Sequence, residues 1–191
     1  MDFNELCLGC RTYRRFEQKE IPEEILTELL ENARVANSAM NGQVLRYVLV
    51  KSQETVKKLQ PYFHFAAALP KELGQPKEEE QPTAFIILCT EGPETPWTGI
   101  DIGIAVRTMN LNAYIHGVGS CIIGNVEFEK VKEILSIPET WIPRLALALG
   151  YPSHKSSLVE LPEDGSIKYY LDEERQYYVP KRKQEDISII R

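Results

Sequence analysis

Apolar residues recur along this chain with two different periods, and the places where the period changes mark its elements. Asp2 precedes a short apolar-polar stretch through Cys7 and is placed to cap a first helix. Pro22-Glu23-Glu24 opens a stronger helix, with proline at its start, acids in the first turn, and Ile25, Leu26, Leu29, Leu30 and Ala33 on one face. Asn37 to Gly42 breaks that period and reads as a loop. Leu45 to Lys51 reads as a strand, and Ser52 as the cap of a short helix ending near Leu59. Ala84 to Thr90 is unbroken apolar sequence, which predicts a strand covered on both faces.

Thr98 to His116 gives the longest helix. Its apolar positions, Ile100, Ile104, Met109, Leu111 and Ile115 among them, lie on more than one side, so it should pack on several partners as a central helix. Val118 to Ile123 reads as a strand, Glu127 to Leu135 as a helix, and Pro143 to Gly150 as another buried strand. Residues 61–82, with Pro61, Pro70, Pro76, Pro82 and the charged run Lys77-Glu78-Glu79-Glu80, look least ordered and read as a mobile loop or lid. The tail from Glu160 to Arg191 is polar apart from Ile187, Ile189 and Ile190, and should wrap onto its own domain or a second subunit. Strands and helices alternate without a regular βαβ rhythm or a repeat. The expected class is α+β, one domain over residues 1–191.

Composition narrows the function. The chain has 191 residues, 43% of them hydrophobic, enough to bury a core. Its net charge of −6 argues against nucleic acid or an anionic membrane as the main partner. No apolar run is long enough for a bilayer, and Met1 to Glu5 does not begin a signal peptide, so a cytoplasmic location is expected. Four cysteines are too few for a disulfide framework and fit a reducing compartment. Cys7 and Cys10 form a single C-x-x-C without a second pair or a companion histidine. No metal site is expected, and Cys7 reads as a core residue.

Two basic clusters stand out against the acidic background: Arg11, Arg14 and Arg15 beside Thr12, and Lys181-Arg182-Lys183. Each could be a solvated surface turn. Together they would also suit a phosphate, because arginine presents a planar fork of donors and Thr12 adds a hydroxyl. A nuclear-localisation reading of the second cluster is weaker, the run being short. The glycines at 117, 119 and 124 follow a helix and enter a strand, the reverse of the Rossmann order, which rules out that fingerprint. Gly124-Asn125 suits a tight turn whose N–H groups could meet a ligand. Asp101 reads as a cap or an ion-pair partner. There is no nucleophile elbow, P-loop or H-E-x-x-H.

Three segments, taken in order, resemble the nitroreductase-like family. Cys10-Arg11-Thr12-Tyr13-Arg14-Arg15-Phe16 is similar to the family's R-R-S-x-R-x-F, and Asn37-Ser38-Ala39-Met40-Asn41-Gly42-Gln43 to its P-S-A-x-N-x-Q. Asp101-Ile102-Gly103-Ile104-Ala105, then Gly117-Val118-Gly119-Ser120-Cys121-Ile122-Ile123-Gly124, resemble D-x-G-x-A and G-x-G-S-C-W-I-G, with Gly150-Tyr151-Pro152 as G-Y-P. Val179-Pro180-Lys181-Arg182 resembles the basic C-terminal segment of many members.

The resemblance implies a nitroreductase-like fold: a central, mostly antiparallel sheet flanked by helices, a long core helix, and a C-terminal tail reaching a dimer partner. It implies a homodimer binding FMN at the subunit interface. Arg11, Thr12 and Arg14 would hold the phosphate and ribityl chain, joined by Lys181 or Arg182. Ser38, Ala39, Asn41 and Gln43 would approach from the other subunit, and Ile123, Gly124 and Asn125 would line the isoalloxazine ring. NADH or NADPH would deliver hydride, and a small flat acceptor such as a quinone or nitroaromatic would take it in ping-pong fashion, with no side chain needed as acid or base. Dehalogenation, flavin fragmentation, oxidation of a peptide-derived ring, flavin binding without turnover and a plain interaction domain are the rival readings. The chain departs from the pattern at Cys10 (arginine), Thr12 (serine), Asn37 (proline), Val44 (proline) and Ile122 (tryptophan), the last two changing the pocket walls.

Overall fold

The computed structural model describes residues 1–191. The first half of the chain runs α1 (Phe3–Gly9), β1 (Phe16–Glu17), α2 (Glu23–Val35), β2 (Leu45–Val50), α3 (Gln53–Leu59), α4 (Lys71–Gly74) and β3 (Ala84–Glu91). The second half runs α5 (Thr98–Ile115), β4 (Gly119–Ile123), α6 (Phe128–Leu135), β5 (Trp141–Pro152), β6 (Ser156–Glu160), β7 (Tyr170–Leu171) and β8 (Tyr177–Lys181). No helix is long and apolar enough to cross a membrane.

Strand β5 is the spine of an antiparallel sheet. Along one edge it pairs with β3, Ala84 opposite Leu149 through Glu91 opposite Trp141, and β2 lies outside β3. Its other edge is shared end to end by β4, Gly119 opposite Gly150, and by β1, Phe16 opposite Pro152. Two glycines make that crowding feasible. A Cβ on Gly119 would fall 2.6 Å from Pro152 and 2.9 Å from Tyr13, and one on Gly150 would fall 2.7 Å from Phe16.

Both faces of the sheet are covered, which is why its strands read as continuous apolar runs. Phe85, Ile87, Cys121 and Ala148 face a core completed by Val56, Leu59, Phe63 and Val131. Ile86, Leu88, Leu147 and Leu149 face Leu26, Leu29, Met109 and Ala113 of α2 and α5. Helix α5 packs on several partners, α2, β4 and α1, as expected, yet three of its apolar positions, Ile100, Ile104 and Ile115, remain exposed. Asp2 and Glu5 do form a reciprocal cap on α1, whereas Ser52 sits at the start of α3 without a side-chain cap bond. Cys7 is half-buried; Cys10, just past α1, is the buried member of the pair.

Residues 61–82 are more organised than their prolines and charges suggest. Phe63 is fully buried and stacks on Phe85 with ring centres 4.4 Å apart. The Gln75 amide donates to the Phe63 carbonyl at 3.0 Å and accepts from the Phe65 N–H at 3.1 Å, which ties the turn to its own base. The tail also builds structure: β6 and β8 pair in parallel, β7 and β8 antiparallel. The two segments meet where Glu80 accepts from Arg175 at 2.8 Å. Ile187, Ile189 and Ile190 remain exposed at the end.

Under the tail sheet, His154 is buried between the rings of Tyr13 and Tyr177, 5.5 and 4.9 Å away, and neither ring nitrogen has a hydrogen-bond partner. Burial, aided by the neighbouring Arg15 and Arg14, lowers its pKa from 6.5 to about 4. The unfolded chain therefore takes up this proton first. Stability is complete above pH 6.5 and falls by at most about 3 kcal/mol as the pH approaches 4. Denaturant unfolding of the wild type and of His154→Phe across that range should show a pH slope that the variant loses; equal slopes would remove His154 as its source.

Candidate functional site

The candidate site forms where the chain between α1 and β1 is laid along the start of β4. The Tyr13 N–H donates to the Ser120 carbonyl at 2.9 Å, and Thr12 bridges Ser120 in parallel. That pairing sets Arg11, Thr12 and Arg14 along a cavity of about 580 Å³. Helix α5 forms a second wall through Gly99, Ile102, Gly103, Val106 and Arg107, and the tail contributes Tyr169, Val179 and Lys181. Open space surrounds Gly99 and Gly103, one turn apart, so this part of α5 offers a smooth floor. Ile122, half exposed, projects over it from β4.

The cavity's charge is one-sided. Arg11, Arg14, Arg107 and Lys181 line it, and no aspartate or glutamate does. None of the four is ion-paired, whereas Arg34, Arg46, Arg144 and Arg175 elsewhere each hold a glutamate. Arg14 lies 4.6 Å from the Tyr169 ring centre and 4.9 Å from that of Tyr177, and these contacts aim it without neutralising it. Its Nε and the Nε of Arg11 are buried without partners. A guanidinium withdrawn from water with donors unused is costly, and an anion with several acceptor oxygens would satisfy both charge and geometry. Burial pushes the Cys10 thiol above its usual value, against the opposing pull of Arg107 and Arg11, so Cys10 is a thiol and not a thiolate at neutral pH.

A second cavity, of about 450 Å³, lies on the opposite face of α5, lined by Ser38, Gln43, Tyr47, Asp101 and Ala105 among others. Its rim is the loop after α2, where Met40, Asn41 and Gln43 have φ of +54°, +54° and +47°. Three side-chain-bearing residues in the left-handed region within four positions is strained backbone. Besides main-chain bonds from the Asn41 and Gly42 N–H groups to the Ser38 and Ala39 carbonyls, side chains hold it: the buried Asp101 carboxylate accepts from the Ala39 N–H at 2.8 Å, Ser38 Oγ accepts from the Gln43 N–H at 3.2 Å, and Arg46 donates to the Gln43 carbonyl at 2.9 Å. Asp101 thus caps this loop and not its own helix.

The structure brings Arg11, Thr12, Arg14 and Lys181 into one cavity and places Ser38, Ala39, Asn41 and Gln43 on a loop beside the other. Arg182 is exposed and lines neither. Gly124 and Asn125 are exposed past the end of β4. Ile123 turns its side chain into the core, so any contact it makes with a ring is confined to its main chain, while Ile122 faces the cavity. Sequence reasoning missed Arg107, Tyr169 and the glycine floor. The available signals were Arg107 as the one basic residue of α5 and the i, i+4 spacing of Gly99 and Gly103.

An antiparallel sheet, a long covering helix and a cationic cavity beside it define an α+β domain with one charged recess. The sequence pattern of the nitroreductase family matches residues 9–151, and the chain belongs to that family. A protein of Methanothermobacter thermautotrophicus provisionally named NADH dehydrogenase/NAD(P)H nitroreductase is 27% identical over 168 residues, 84% of this chain and 83% of that one. An FMN reductase (NADPH) of Bacillus subtilis is 27% identical over 167 residues, 80% of this chain and 66% of its own length. The crystal structure of a nitroreductase family protein from Streptococcus pneumoniae has the same fold, with a TM-score of 0.69 at 20% identity over 87% of this chain and 99% of that one.

Asp101→Ala deprives the Ala39 N–H of its acceptor. The expected result is a loss of about 1–3 kcal/mol of stability, with faster amide exchange at Ala39 and Gln43 and little change in β3. Unchanged exchange at Ala39 would show that the loop holds its shape without Asp101.

Proposed function

We propose that this chain is an NAD(P)H-dependent flavin oxidoreductase that binds FMN with its phosphate in the cationic cavity. One observation carries the reading: four cations and no carboxylate line a single cavity in a chain of net charge −6, with buried guanidinium nitrogens left unpartnered. The residues fit the group. Arg11, Arg14 and Lys181 supply charge, Thr12 supplies a hydroxyl, and the Gly99–Gly103 floor leaves room for a flat ring under Ile122.

Bound FMN supplies reversible hydride chemistry. The chain's own residues bind and orient. Cys10 stays protonated, and the cavity lining contains no carboxylate or histidine placed as acid or base. The cation-lined cavity and the strained Ser38–Gln43 loop lie on opposite faces of α5, so one chain does not close its own site. In a homodimer the loop of one subunit would close the cavity of the other, and the uncovered Ile100 and Ile104 would be buried between them. NADH or NADPH and a flat acceptor such as a quinone or nitroaromatic would then use one slot in turn.

The purified protein should bind FMN and turn yellow. Either nicotinamide should bleach it anaerobically, a quinone or nitroaromatic should restore the colour, and double-reciprocal plots should give parallel lines. Arg14→Ala should weaken FMN binding by about 10- to 100-fold, the usual worth of a charge-assisted contact. A protein that takes up no FMN, or an Arg14→Ala variant of unchanged affinity, would overturn the reading.

A further inference from the structure

The pairing of arginines across the chain is uneven. Arg15, Arg34, Arg46, Arg144 and Arg175 each lie within 4.0 Å of a carboxylate. Of the other five, Arg11, Arg14 and Arg107 line one cavity. Carboxylates are not scarce, with 28 acidic residues against 22 lysines and arginines. The gathering of unpaired guanidiniums in one place needs a cause, because like charges repel, most strongly at the half-buried Arg11 and Arg14, and the exposed Arg107 is set beside them.

Arg107 comes to this cavity by a route of its own. It is the one basic residue of α5, four positions beyond Gly103 and eight beyond Gly99, so its side chain continues the line of the glycine floor. Its Nη1 donates to Cys10 Sγ at 3.4 Å, and the Cys10 thiol donates to the Asn110 carbonyl at 3.4 Å. Helix α5 thus grips Cys10 from two positions and holds the Arg107 guanidinium beside the residue preceding Arg11. A neutral, compact thiol at position 10 admits that approach; a third long cation there would not.

We infer that Arg107 is a phosphate-binding residue, a cation that α5 delivers to the cavity otherwise built from the N-terminal basic segment and the tail. This rests on the proposed reading of the cavity as a site for a flavin phosphate, and it adds the ligand chemistry the site selects: a dianionic phosphate monoester over the same ring system without it. Arg107 has two functions in this arrangement. One nitrogen is spent on Cys10, which fixes the guanidinium, and the remaining N–H groups are free for phosphate oxygens.

The test compares FMN with riboflavin, which lacks the phosphate, by quenching of flavin fluorescence on protein stripped of bound flavin. The wild type should prefer FMN by about a hundredfold or more. Arg107→Gln should shrink that preference by about tenfold or more while leaving riboflavin affinity unchanged, and Arg107→Lys should recover part of it. The lysine variant keeps the test decisive if the glutamine variant folds poorly. An undiminished FMN preference in both variants would overturn the inference and leave Arg107 as a hydrogen-bond donor to Cys10 alone. A wild type with no preference for FMN would instead sink the phosphate reading of the whole cavity, and the role of Arg107 with it.

Discussion

The crowded edge of β5 is the constraint on which the rest of this molecule depends. One strand edge accommodates both β4 and β1, and the chain before β1 must also lie along β4, which Gly119 and Gly150 permit by having no side chains to clash with Pro152, Tyr13 and Phe16. A side chain at either glycine would push the N-terminal segment away from Ser120. Arg11, Thr12 and Arg14 would then leave the cavity wall, so the packing of a sheet edge and the placement of a charged site are one problem.

The same economy governs the charges. Tyr169 and Tyr177 hold Arg14 by its faces, the Cys7 carbonyl accepts from Arg11 at 2.8 Å, and Cys10 accepts from Arg107, so each guanidinium is oriented by a group that carries no negative charge. Orientation without neutralisation leaves their charge available to an anion such as the proposed phosphate. On the other side of α5, Asp101 lines the second cavity, where its carboxylate is spent on a main-chain N–H.

Much of this was legible in the sequence for definite reasons. The runs Ala84–Thr90 and Pro143–Gly150 showed buried strands because both sheet faces are covered, and Leu26, Leu29 and Ala33 showed the inner face of α2. The tail strands were hidden because β6 to β8 are short and mostly half-exposed, stabilised by pairing partners far apart in the chain. Residues 61–82 were hard to read because the anchor is one aromatic, Phe63, set among prolines and charges. At the site, the N-terminal and tail clusters could be seen as clusters. Arg107 could not, since it becomes one of them only when α5 is laid beside Cys10. The parity of β4 was equally hidden: neighbouring isoleucines face opposite sides of a strand, and only the fold decides that Ile123 enters the core while Ile122 meets the cavity.

The central claim is that the cationic cavity of one chain and the strained loop of another make one flavin site. A crystal structure of the protein with FMN tests it most directly. The account predicts the phosphate within hydrogen-bond reach of Arg11, Thr12, Arg14 and Lys181 of one subunit, with the Ser38–Gln43 loop of the second subunit against the ring. A phosphate bound away from these cations, or a site completed within a single chain, would contradict it.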